Sequence, residues 1–191
     1  MPNGIEEVLR KRYPEEETHY LARLLLEFSE RGRIYYKEIN MPQEIKEELL
    51  IFTYMERLII PVRTSMSSQW NDRLLTFEDE ALFEMPNVIQ YLIQEANKQG
   101  RWNTTYAIQE YLKEIGEART EDIARLVEKL KKMAEYKKIT SETIKNACSD
   151  LNIEFDLNKI IAELKGGGII SPTLPGFSKR FPSYEINSAL Y

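Results

Sequence analysis

Thr140–Leu190 reads TSETIKNACSDLNIEFDLNKIIAELKGGGIISPTLPGFSKRFPSYEINSAL. Thr140 or Ser141 offers a hydroxyl to cap a short helix that buries Ile144 and Ala147 and runs to about Leu151. Asn152-Ile153-Glu154-Phe155 is a turn. Asp156 caps a second helix, which buries Leu157, Ile160, Ile161 and Leu164. Gly166-Gly167-Gly168 stops that helix, Ile169-Ile170-Ser171 is a strand, and residues 172–182 are a Pro-containing loop. Tyr184-Glu185-Ile186-Asn187 returns as a second strand.

A looser copy of this order lies upstream, between Thr18 and Phe77. Tyr20, Leu21, Leu24, Leu25 and Phe28 make one apolar stripe on a helix from Thr18 to Arg31, closed by Gly32. Arg33-Ile34-Tyr35-Tyr36 is β-prone, and Lys37-Glu38-Ile39 fits one turn. Asn40-Met41-Pro42-Gln43 starts a helix to about Leu58 that buries Ile45, Leu49, Phe52 and Met55. Its outward residues include Glu44, Lys46, Glu47 and Glu48, a poor surface for a phosphate-lined groove and a suitable one for a protein. Leu58–Arg63 and Arg73–Phe77 then form a hairpin. On this reading Trp70 is exposed at the hairpin tip, where it either enters a partner surface or folds back over the strands.

Between the two copies, Glu78–Glu84 is acidic and fits a helix. Helices follow from Asn87 to about Lys98 and from Asn103 to Ile115. Tyr91, Trp102, Tyr106 and Tyr111 form an aromatic set suited to core packing or to an interface. The helix from Thr120 to about Tyr136 opens the second copy with the stripe Ile123, Leu126, Val127, Leu130 and Met133. Near the N-terminus, Arg10-Lys11-Arg12 reads as a solvated helix end, since Glu15-Glu16-Glu17 cancels its field.

Net charge is −5, which excludes a strongly basic nucleic-acid binder. The acidity lies in residues 1–85, with 11 Lys+Arg against 17 Asp+Glu; residues 86–191 hold 15 against 14. A phosphate-facing surface therefore belongs to the second half. The 30% charged content, rich in Lys, Arg and Glu, resembles that of thermophile proteins. A single cysteine, Cys148, forms no internal disulfide and points to a reducing, cytoplasmic setting, with Cys148 as a small buried hydrophobe. No apolar run reaches the ~20 residues a membrane span needs, so no membrane partner is expected. There is no P-loop, GxGxxG, CxxC or HExxH, and the only histidine, His19, lies in a helix. No catalytic residues, metal site or cofactor are expected, and the chain does not read as an enzyme.

The segments AELKGGGIISP and YEIN, with the capped helices before them, resemble the winged helix-turn-helix superfamily of archaeal and bacterial transcription regulators. The likeness covers residues 118–190 well and residues 15–78 only in the order of elements. It implies a mostly α protein with small β-hairpins (α+β), made of two winged-helix-like units joined by a helical hairpin. The boundaries are residues 1–85, 86–117 and 118–191. It further implies that the helix after Asp156 enters the major groove of double-stranded DNA and that the wing tip touches the backbone. The residues so assigned are Asn158, Lys159, Ala162 and Lys165 on the helix, and Ser178, Lys179 and Arg180 on the wing. The expected function is duplex DNA binding in transcription regulation. The alternative is a tandem winged-helix scaffold that binds protein and no DNA. A homodimer or a protein partner would use the first unit and residues 87–115.

Overall fold

A computed structural model describes residues 4–14, 16–64, 69–154, 156–173 and 181–191. Among these, eight α-helices and two three-stranded antiparallel sheets make a mostly helical α+β fold. The first sheet joins β1 (Arg33–Tyr35), β2 (Ile60–Pro61) and β3 (Leu82–Glu84), in the order β1-β3-β2. The second joins β4 (Lys138–Thr140), β5 (Ile170–Thr173) and β6 (Ser183–Ile186), in the order β4-β6-β5. In both, the last strand in sequence sits in the middle. Pro61 and Pro172 fall on edge strands, where no ladder hydrogen bond is lost.

Helix α1 (Gly4–Arg12) leads into α2 (Thr18–Arg31), whose stripe Leu21, Leu24, Leu25 and Phe28 is fully buried. Gly32 closes α2 at φ 73°, a conformation costly for other residues, and its N–H reaches Phe28 O. After β1 comes a single 3-10 turn, Tyr36–Glu38, and then α3 (Gln43–Met55). The second half repeats the order: α6 (Thr120–Met133), β4, α7 (Ser141–Asp150), α8 (Leu157–Gly166), then β5 and β6. The 3-10 turn stands where the second half has a whole helix, α7. Thr140 caps α7 as expected, and its hydroxyl also meets that of Thr143.

Helices α4 (Asn87–Gln99) and α5 (Thr104–Glu114) lie between the halves. α4 packs on α1, α2 and α5, and α5 packs on α6. Their apolar stripes, Val88, Ile89, Leu92 and Ile93 on α4 and Ala107, Ile108 and Leu112 on α5, are consumed inside the chain. One contiguous hydrophobic core runs through both halves. Tyr91, Trp102, Tyr106 and Tyr111 make no ring-to-ring contact with one another among the described residues. Tyr111 donates to Glu163 O, and Trp102 Nε1 donates to Ala189 O. Arg12 stacks over Trp102 and donates to the same carbonyl, so the N-terminal helix is tied to the C-terminus instead of ending in solvent.

Several local expectations are corrected. The strand that returns to β2 is Leu82–Glu84, not Arg73–Phe77, and the Glu78–Glu84 segment is not a helix. Phe83 is buried between flanking half-buried residues, which gives this strand an inner face, whereas Leu74 stays exposed. Trp70 is 3% exposed instead of projecting from a tip. It lies in a 3-10 turn, Trp70–Asp72, whose first N–H donates to Ser171 Oγ on β5. Helix α3 starts after Pro42 without a side-chain cap from Asn40 and leaves Met55 66% exposed, while Leu50 and Thr53 take the inner positions. Helix α6 ends at Met133, three residues early, because Tyr136 and Lys137 (φ 51° and 62°) form a tight turn closed by paired hydrogen bonds between Glu135 and Lys138.

The halves meet through specific polar contacts. Arg57 Nε donates to Glu185 Oε1 at 3.2 Å, and Arg57 also contacts Asn71. Asn187, fully buried, donates to Arg57 O at 3.1 Å and to Gly168 O at 3.0 Å. The linking helix is tied to the second half in the same way: Val88 N–H at the start of α4 donates to Gly167 O at 3.0 Å.

Candidate functional site

The site is built on α8. Asp156 Oδ1 accepts the N–H groups of Asn158 (2.9 Å) and Lys159 (3.2 Å), which satisfies two free donors of the first turn. Ile160 and Leu164 face the core. That orientation leaves Asn158, Lys159, Ala162 and Lys165 exposed together on the outer face. The wing residues Ser178, Lys179 and Arg180 lie outside the described residues.

The two lysines of this face differ in their surroundings. Lys159 Nζ sits 2.6 Å from Glu117 and 3.4 Å from Glu163. Glu117 is buried and also takes Arg119 at 3.1 Å. Hydrogen bonds from Arg119, then from Lys159, hold the Glu117 carboxyl well below the usual carboxylate range. Burial, then the Glu117 carboxylate, push Glu163 up. Part of the Lys159 charge is therefore answered by its own fold, although its side chain is 54% exposed. Lys165 forms no ion pair among the described residues. It borders a cavity of about 290 Å³ where the end of α8 meets the first sheet.

Arg33, Arg63, Arg73 and Lys165 line this cavity, with Glu84 and Trp70. Arg33 enters from β1, opposite Glu84 in the strand register, and the two pair at 3.0 Å. Arg63 follows β2, and it too has no ion pair among the described residues. Arg73 Nη1 donates to Glu84 Oε1 at 2.8 Å and to Pro61 O at 2.9 Å. Its side chain is 9% exposed, and its Nε finds no acceptor among the described residues. Burial lowers the Arg73 pKa, Glu84 opposes that shift, and the Arg63 charge adds to it. Four cations thus surround one carboxylate that already serves two of them.

Sequence reasoning found Lys165 and missed the three arginines. Arg33 and Arg63 read as strand ends and Arg73 as the start of a strand; only the register of β3 brings them together. A second, larger hollow of about 640 Å³ runs along α6 past Arg125, Lys129 and Lys132. Two of its cations are paired, Arg125 with Asp122 and Lys129 with Asp150. Among the described residues no group of three or more His, Cys, Asp or Glu is placed to hold a metal. None of their helices is long and apolar enough to cross a membrane. His19 is exposed beside Glu6 at 3.3 Å, and Cys148 is buried, which raises its thiol pKa.

Residues 3–191 match a family model whose description gives no activity, and the chain belongs to that family. No curated protein and no solved structure matches the chain.

Proposed function

We propose that this protein binds duplex DNA as a winged-helix transcription regulator of the cell interior. The observation that carries the reading is the exposed face of α8, with Asn158, Ala162 and Lys165 on the helix just before the paired strands β5 and β6. Asn and Lys are suited to base edges and phosphates, and Ala leaves room for close approach. The shared element order of the two halves, with the last strand central in each sheet, supports two winged-helix-like units joined by α4 and α5.

The test is binding of random-sequence duplex followed by fluorescence anisotropy across a salt series. Lys165→Ala is expected to weaken binding on all sequences and to reduce the salt slope by about one. Lys179→Ala with Arg180→Ala is expected to act in the same direction. Absence of binding at low salt overturns the reading.

A protein-binding role for the first half has its own support. Glu44, Glu48, Ile51 and Met55 form an exposed stripe on α3, while Lys46 and Glu47 turn back onto Tyr36. An acidic and apolar stripe suits a protein partner better than a phosphate backbone. A homodimer through α4 and α5 would rest on what they leave exposed, chiefly Tyr106 and neighbouring Ile115. Sedimentation decides that point.

A further inference from the structure

We infer that the cavity between α8 and the first sheet is a binding site for a small oxyanion of the phosphate class. Four cations converge there from separate segments: Arg33, Arg63, Arg73 and Lys165. Among the described residues Glu84 is the only carboxylate on the wall, and it is shared by Arg33 and Arg73. Arg63 and Lys165 remain without a counter-ion among the described residues. Arg73 is nine-tenths buried, and its Nε has no partner among the described residues, an arrangement that a bound anion would relieve.

The size and depth of the site favour a small ligand over a strand of nucleic acid. A volume of about 290 Å³ accommodates a phosphate group with a small substituent. The backbone of a duplex could meet Lys165 and Arg63 at the rim but would not reach the buried Arg73. A planar guanidinium fork matches the paired oxygens of a tetrahedral oxyanion; Arg63 and the Arg73 Nε have donors to offer, whereas the Arg33 Nε and Nη2 are turned onto Glu84. Glu84 holds Arg33 and Arg73 in place and repels the anion, but the four cations outweigh it, and that net positive charge favours a ligand with more than one negative charge. The cavity lies against the contact between the halves, where Trp70 forms part of the wall and also meets β5. A ligand there would touch groups from both halves.

Trp70 also supplies the readout. Trp102 is the only other tryptophan, so a Trp102→Phe protein reports on the cavity through Trp70 fluorescence. Inorganic phosphate, titrated at constant ionic strength with chloride as control and with no DNA present, is expected to change Trp70 emission saturably. Arg63→Ala and Lys165→Ala, both surface changes, should each raise the half-saturation concentration about fivefold, and Glu84→Gln should lower it. The inference fails if phosphate behaves as chloride does, or if the response is unmoved by Arg63→Ala and Lys165→Ala in variants that melt like the parent. A Trp70 response to a short duplex with none to free phosphate also overturns it. A protein that binds phosphate but no duplex would sink the proposed function and leave this site standing; the opposite result would do the reverse.

Discussion

The glycines after α8 show how much a single missing side chain decides. A Cβ on Gly167 would lie 2.5 Å from Cε1 of Tyr111, and one on Gly168, at φ 71°, would lie 2.4 Å from Cβ of Pro86. These residues do more than end the helix: they let α8 approach α5 and the start of α4. Gly167→Ala is expected to cost about 1–3 kcal/mol, the range of overpacking in a tight site, read from urea denaturation. Asn187 acts through hydrogen bonding instead. Its amide serves two carbonyls from opposite halves, Arg57 O and Gly168 O. Asn187→Ala leaves both without that donor and should cost about 2–3 kcal/mol, measured the same way.

At the scale of elements, the link between α8 and the Glu117 cluster predicts a pH dependence. A carboxyl held lower in the folded state contributes stability above its ordinary value of 4.5 and loses it as pH falls through the folded value. Glu117 is of this kind. Glu163 has the opposite sign: its raised pKa means the folded state holds the proton more tightly, so its contribution fades as pH rises above 4.5. Stability from the pair therefore peaks near 4.5 and declines on the acid side through Glu117. Glu117→Gln should flatten that acid decline, seen as urea midpoints that change less between about pH 3 and 5. The Asp156 cap on α8 is simpler; Asp156→Ala should cost about 1 kcal/mol, read from thermal melts.

Which of these elements were legible depended on whether their signal was local. Helices α2, α4, α6 and α8 announced themselves by apolar spacing, and Thr140 and Asp156 by cap chemistry. β3 did not, because three residues with one inward Phe83 carry no period long enough to read. Leu74, Leu75 and Phe77 looked more like a strand than Leu82 and Phe83 did, yet only the latter find two partner strands. Trp70 was misplaced for a related reason: its partner, Ser171, is 101 residues away. Arg73 was invisible as a site residue because its meaning depends on Glu84 and Pro61 O, which only the folded sheet brings near it.

At the scale of the whole molecule, both halves share one core and are cross-linked by Arg57, Trp70 and Asn187. Unfolding is therefore expected as a single transition, with fluorescence and far-UV circular dichroism giving coincident midpoints. Trp70→Ala removes a large buried side chain from the junction and should cost about 3–5 kcal/mol. Two separated transitions in the parent protein would mean that the halves are energetically independent. The charge distribution works at the same scale. On the proposed function, an acidic protein must meet DNA through a restricted cationic surface, and Lys165 with Arg63 at the cavity rim is the part of that surface a duplex could touch.

The salt dependence of random-duplex binding by the parent protein and by Lys165→Ala tests the proposed DNA binding most directly. Measurable affinity is expected at low salt, with a linear fall of log affinity with log salt and a slope smaller by about one in the variant. No binding by the parent at low salt, or an unchanged slope in a folded Lys165→Ala protein, would contradict it.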